Sequence, residues 1–281
     1  MIKAIITDVD GVIVGKQRGV NFPLPHVDII AKLQELRQNG VPVVLCTAKF
    51  NHAILGIIER ARLNNPHITD GGALVIDPLD HKVITQHAIS DVAISSLIKE
   101  LVMNKFYLEV YTPGFYAIQK GMDAVITKGR EAVLQEPPRI VDLPYSQELL
   151  IGRTIKIQVI TSEVEKATVI FDKHSSNMSY IWTEHPSMPQ KIGVITKKNV
   201  SKKSASQEVT ESLGLSFDEI LGVGDTKGDW NFMNLCKYVA VTGNNSQELK
   251  DLAKTKGEGN YFFASSVEEN GFLEIMKHFN L

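Results

Sequence analysis

The chain has 281 residues, 43% of them apolar and 22% charged, and a formal net charge of −2 at pH 7. That composition predicts a globular soluble protein with one large domain or two of ordinary size. It supplies no basic field for a nucleic-acid backbone, and no apolar stretch is long enough to span a bilayer, so neither partner is expected.

In chain order, the apolar run Ile2 to Thr7 reads as a buried strand, followed by a glycine-bearing loop. Pro25 to Asn39 reads as a helix, because Val27, Ile30, Leu33 and Leu36 recur on one face and Gly40 supplies a stop. VPVVLC is a second buried strand, and a helix is expected from Asn51 to Leu63. From Ala73 to Gln190 the pattern changes to alternating stretches such as TIKIQVIT, a hairpin around TPGFYAIQKG, and two marked helices. One helix begins at Ser90. The other begins at Ser162, with Glu165 completing a capping box. After Lys191 the strand–helix rhythm returns through IGVIT, a helix from Lys203, EILGVG, a helix from Asp229, YVAVTG, a helix from Gln247, NYFFA and a last helix to His278. The reading is a Rossmann-like parallel α/β core made of residues 1–77 and 191–281, interrupted by an α+β domain over 78–190.

Cys46 and Cys236 lie in apolar surroundings without metal-ligand spacing, which reads as two reduced core thiols. The first apolar run has no basic lead and is broken early by Asp8, unlike a secretory leader, so the expected location is cytoplasmic. The eight histidines show no pair at zinc-ligand spacing on one helix face.

Three strand ends and one helix start carry unusual polar residues. The first bears Asp8 and Asp10 in DVDGV, and strand alternation would point both carboxylates the same way. At about 4 Å two such charges repel by roughly 4 kcal/mol for an effective dielectric of ~20. The second strand ends in Thr47, the GDTKGDW stretch brings Asp225 and Asp229, and the helix entered at VSKKSA brings Lys202. Taken singly, Asp229 is as readily a helix N-cap, Thr47 a turn hydroxyl and Lys202 a solvated charge. In an open parallel sheet, however, strand-end loops converge on one crevice. Carboxylates gathered there call for a hard cation with oxygen ligands, for which Mg²⁺ fits because it leaves positions for water and a phosphate oxygen.

DVDGV, a threonine followed by a small and a basic residue, a lysine at a helix start and GDxxxD, in this order, resemble the haloacid dehalogenase superfamily. Only 36 residues lie between Asp10 and Thr47, whereas 155 positions separate Thr47 from Lys202. An insert in that second gap looks like the type II cap, and its α+β content like the Cof-type, sugar-phosphatase-like type IIB branch. The resemblance implies a Mg²⁺-dependent phosphomonoesterase acting on a small phosphorylated metabolite, a sugar phosphate by preference, as a monomer or homodimer. Asp8 would be the nucleophile and Asp10 the general acid and base. Asp8, the Asp10 carbonyl, Asp225 and Asp229 would hold the metal, with Asp229 a ligand or an orienter. Thr47 and Lys202 would bind the phosphoryl oxygens, with Lys203 as a competitor of Lys202. Gly11, Ala48 and Asn244 would lie one step behind. The chain departs from relatives in reading Thr47-Ala48-Lys49 where they read TGR, and in placing Gly228 where they carry asparagine. A phosphomutase and a phosphate-binding protein without turnover remain as alternatives.

Overall fold

The computed structural model describes the chain except residues 80–81, 135, 144, 147–149, 186–187 and 244–245. The chain opens with β1 (Ala4–Thr7), α1 (Val27–Gln38), β2 (Val43–Leu45), α2 (His52–Ala61), β3 (His67–Thr69) and β4 (Leu74–Ile76). Next come β5 (Val83–Gln86), α3 (Asp91–Met103), β6 (Tyr107–Thr112), β7 (Phe115–Gln119), α4 (Ala124–Leu134) and β8 (Arg139–Val141). β9 (Lys156–Thr161), α5 (Val164–Lys173), β10 (Met178–His185) and β11 (Met188–Lys197) complete the middle. The last part holds α6 (Lys202–Ser212), β12 (Ile220–Gly224), α7 (Trp230–Met233), β13 (Tyr238–Val241), α8 (Gln247–Lys254), β14 (Tyr261–Phe263) and α9 (Gly271–His278).

Two compact units result, Met1–Ile84 with Ser201–Leu281, and Thr85–Val200. The first is an α/β core around a parallel sheet of order β14-β13-β12-β1-β2. Every residue of β1, β2 and β12 is buried, as strands covered on both faces require. Ala4, Ile6, Val44, Cys46, Val239 and Val241 pack with Ala205 and Val209 of α6, Phe232 and Met233 of α7, and Leu249 of α8. The free edge of β2 is covered by side chains: Asn65 Nδ2 donates to the Val43 carbonyl at 3.0 Å, and His67 Nδ1 accepts from the Leu45 N–H at 3.1 Å. Beyond them the Thr47 N–H donates to the Ile68 carbonyl at 3.0 Å.

The second unit is the inserted α+β domain, a six-stranded sheet of order β10-β11-β9-β6-β7-β8, antiparallel except for β7 against β8. One face, with Leu108, Val110, Ile157 and Val159, packs on α3 and α5 through Leu97, Ile98, Ile170 and Phe171. On the other face, Tyr107, Glu109 and Tyr111 of β6 and Lys156 and Gln158 of β9 carry polar groups. There Arg130 of α4 binds Glu109 through Nε and Nη at 2.8 and 2.9 Å and also reaches Tyr111 and Gln158.

Three expectations need correction. IGVIT is not a core strand: Ile192–Thr196 lies in β11, paired antiparallel with β9 and β10, so the units part at 84/85 and 200/201. An isolated apolar strand does not state which sheet it will join. The capping box at Ser162 is absent, because α5 starts at Val164 and the Thr161 hydroxyl takes the Glu163 N–H at 2.8 Å instead. A third helix, α4, stands in the middle region where two were expected.

Candidate active site

β1 and β12 run side by side in the same direction, with Thr7 beside Val223. The Asp8 N–H extends that ladder by one bond, to the Val223 carbonyl at 2.9 Å. Asp8 and Asp225 therefore leave neighbouring strands at the same edge of the sheet. Asp229 comes back to them on the turn that follows β12. One carboxylate oxygen from each of Asp8, Asp225 and Asp229 lies within 4.8 Å of the others.

Lys202 is the first residue of α6. Its ammonium lies 2.9 Å from Asp8 Oδ1 and 2.7 Å from Asp229 Oδ1. A cation at a helix N-terminus opposes the helix dipole, so these two carboxylates are what hold it there. Lys203, one position on, is exposed. Asp229 occupies the N-cap position of α7 yet makes no capping bond. Its Oδ2 instead accepts from the Thr226 N–H at 3.0 Å, the Thr226 hydroxyl at 2.8 Å and the Asp225 N–H at 3.3 Å. The carboxylate thus closes the Asp225–Asp229 turn with one oxygen and fixes the lysine with the other.

Three carboxylates and one ammonium do not neutralise one another in a buried place, and the protonation equilibria register the excess. Burial, then the Asp229 charge, pushes Asp8 well above the usual carboxylate range despite Lys202. The same two causes push Asp225 up to about 7. Burial also acts against the charge of Asp229, but Lys202 and the Thr226 donors outweigh it and hold its pKa low. Burial would discharge Lys202; Asp229 and Asp8 keep its pKa raised. A cluster of hard oxygen donors with surplus negative charge fits a divalent cation of the Mg²⁺ type.

The other expected residues are placed as follows. β1 stops at Thr7, so Asp10 lies past the strand to which side-chain alternation applies. Its carboxylate is exposed and pairs with Lys49 Nζ at 2.9 Å. The pairing does not remove the repulsion between the two aspartates, since the Asp10 charge still helps to raise the pKa of both Asp8 and Asp225. Thr47 is buried at the end of β2, and its hydroxyl accepts from the Lys49 N–H at 3.1 Å. Ala48 is exposed beside it. Gly11 has φ 76°, and its carbonyl accepts from the Thr242 hydroxyl at 2.8 Å. Asn244 falls outside the described residues. Sequence reasoning missed Lys49, Thr226 and Thr242. Two of them stood in plain view, Lys49 as the third letter of Thr47-Ala48-Lys49 and Thr226 inside GDTKGDW, but nothing in a linear string ties either to its carboxylate.

A largely buried carboxylate cluster with a lysine wedged into it, at the carboxyl edge of a parallel sheet, makes a candidate site for an oxygen-liganded cation. A sequence profile of haloacid dehalogenase-like hydrolases matches residues 5–275, and the chain belongs to that family. It is 23% identical over 268 residues to a phosphoglycolate phosphatase of Staphylothermus marinus, covering 92% of this chain and 94% of that one. A haloacid dehalogenase-like hydrolase from Bacteroides thetaiotaomicron superposes with a TM-score of 0.83 at 13% identity, over 99% of this chain and all of the other. A sugar phosphatase of HAD subclass IIB superposes with a TM-score of 0.77 at 16% identity, over 99% of both chains. The fold and the aspartate cluster together support the phosphoryl-transfer chemistry of this family.

Proposed function

We propose that the protein is a Mg²⁺-dependent phosphomonoesterase acting on a small phosphorylated metabolite, a sugar phosphate by preference, through a phosphorylated Asp8. The observation that carries this reading is Lys202, whose ammonium bridges Asp8 and Asp229 while Asp225 stands within reach of the same point. Asp8, Asp225 and the Asp10 carbonyl would hold the cation. The two hydrogen-bonded oxygens of Asp229 suit it to orienting this set more than to direct ligation. When bound, the cation supplies positive charge to the phosphoryl oxygens and displaces the proton that burial favours on Asp8.

An Asp8 oxygen attacks phosphorus, the ester P–O bond breaks, and the Asp10 carboxyl gives its proton to the departing alkoxide. Water then attacks the aspartyl-phosphate, Asp10 takes its proton, and phosphate leaves with Asp8 regenerated. Asp10 lies near enough to the cluster for its charge to act on both Asp8 and Asp225, and Lys49 pairs with its carboxylate at 2.9 Å. Lys202 and Thr47 stabilise the oxygens on which charge spreads during transfer. The inserted domain acts as the cap that excludes water and selects the substrate.

The phosphoglycolate and sugar phosphatases it resembles both act on small phosphate monoesters, which supports the substrate class. The reduced, buried Cys46 and Cys236 accord with a cytoplasmic setting. Among the described residues no helix is long and apolar enough to cross a membrane.

The test is release of inorganic phosphate from an aryl phosphate and from a panel of phosphorylated metabolites. Expected is turnover that needs Mg²⁺ and stops with EDTA or with Asp8→Asn. No phosphate release from any ester of the panel would refute the proposal. Transfer of the group back to substrate without net release would identify a mutase instead.

A further inference from the structure

The loop after β3 follows a left-handed path. Asp70, Gly71 and Gly72 have φ values of 52°, 71° and 101°. Glycine takes such values freely, but Asp70 does so only with support, so the path is held there by its surroundings. On one side the loop meets the turn after β2: the Asp70 N–H donates to the Lys49 carbonyl at 2.9 Å, and the Gly71 N–H to the Thr47 carbonyl at 3.0 Å. On the other side Gly72 presses on the start of α6. A Cβ at Gly72 would sit inside the Ser201 carbonyl group and 3.0 Å from the Lys202 amide nitrogen.

Ser201 is the N-cap of α6 and is locked to its first turn. Its hydroxyl accepts from the Ser204 N–H at 3.2 Å, and the Ser204 hydroxyl accepts from the Ser201 N–H at 3.0 Å. A displaced Ser201 therefore carries Lys202 with it. The ammonium has little slack, being held at 2.7 and 2.9 Å by two carboxylates on different loops.

We propose that Gly72 is a positioning residue: its lack of a side chain lets the loop bear on the Ser201 carbonyl, and this contact sets the Lys202 ammonium between Asp8 and Asp229. A methyl group there would have to open the contact by about 1 Å to reach ordinary van der Waals separation. The kinetic consequence rests on the phosphatase reading; the placement of Lys202 does not, and can be read without turnover.

The test compares Gly72→Ala with Gly214→Ala. Gly214 lies just past the other end of α6, has φ 66° and has no heavy atom within 4 Å of its would-be Cβ. Both variants bear the strain of a left-handed side chain, and only one bears the clash. Amine-reactive labelling of the metal-free proteins, read by mass spectrometry, should leave Lys202 protected in the wild type and in Gly214→Ala but expose it in Gly72→Ala. With aryl phosphate and Mg²⁺, a ~1 Å displacement should lower kcat by about 10²-fold, with KM changed less than about threefold. Equal protection of Lys202 in the two variants would overturn the inference, even if Gly72→Ala lost activity. Should Gly72→Ala fail to fold, Ser204→Ala loosens the same lock from the helix side, and unchanged Lys202 labelling there overturns it as well. A wild type that releases no phosphate refutes the phosphatase reading alone, and the labelling still decides the role of Gly72.

Discussion

Acidification from about pH 7.5 to about pH 4.5 should weaken the parallel core by about 3 kcal/mol through one residue, His67. The ring is wholly buried beside the edge of β2, and its Nδ1 accepts from the Leu45 N–H at 3.1 Å. The proton of the neutral ring therefore sits on Nε2, which has no hydrogen-bond partner among the described residues. A second proton would turn Nδ1 into a donor facing another donor, in a buried place. Burial accordingly pushes the pKa of His67 from 6.5 down to about 3. Between those values the unfolded chain binds a proton that the folded chain refuses, so stability is complete above about pH 6.5 and falls as pH drops toward 3. At about pH 4.5 the difference amounts to roughly 2 pH units of binding, or about 3 kcal/mol. The measurement is urea unfolding at stepped pH for the wild type and His67→Gln, whose amide oxygen can still accept from Leu45 but does not titrate. The stability of the wild type relative to the variant should drop by about 3 kcal/mol across this range. Parallel profiles would show that the ring is hydrated or already partnered, and the reasoning would fail.

Two more outcomes follow from the carboxylate cluster. Lys202→Met, assayed by urea unfolding in EDTA, should lose about 3–5 kcal/mol, because it strands buried carboxylates without a counter-ion. Added Mg²⁺ should restore part of that loss, and a loss below about 1 kcal/mol would place the ammonium in solvent. The apparent affinity for Mg²⁺, measured by calorimetry, should fall at least about tenfold from pH 8 to pH 6, since the cation must displace the proton that Asp225, at about 7, takes up in that interval, besides the one burial favours on Asp8. An affinity independent of pH would show that Asp225 is not a ligand.

Much of this was legible in the chain. Strands buried on both faces of a parallel sheet must be continuous apolar runs, and AIIT, VVL, ILGVG and YVAV stand out as such. A polar residue at the end of such a run has few places to go but the carboxyl edge, so Asp8, Thr47 and Asp225 could be named from sequence. The rest depended on which segments meet. Strand alternation, which would align Asp10 with Asp8, no longer applies once β1 ends at Thr7, and the partner of Asp10, Lys49, comes from the turn after another strand. Asp229 does stand at the N-cap of α7, but its oxygens go to Lys202, 27 residues earlier, and to Thr226 and Asp225 instead of to the helix. IGVIT has the composition of either sheet, and its place was settled by hydrogen bonds to β9 and β10.

The sequence by itself determined the local matters: where strands and helices form, which ends carry charge, and that an α+β segment interrupts a parallel core. Tertiary structure alone decided that Gly72 touches Ser201, that His67 covers the edge of β2, and that one lysine is shared by two aspartates. The reason is physical: backbone propensity acts between near neighbours, whereas a charge or a close backbone contact is worth what the folded surroundings make it.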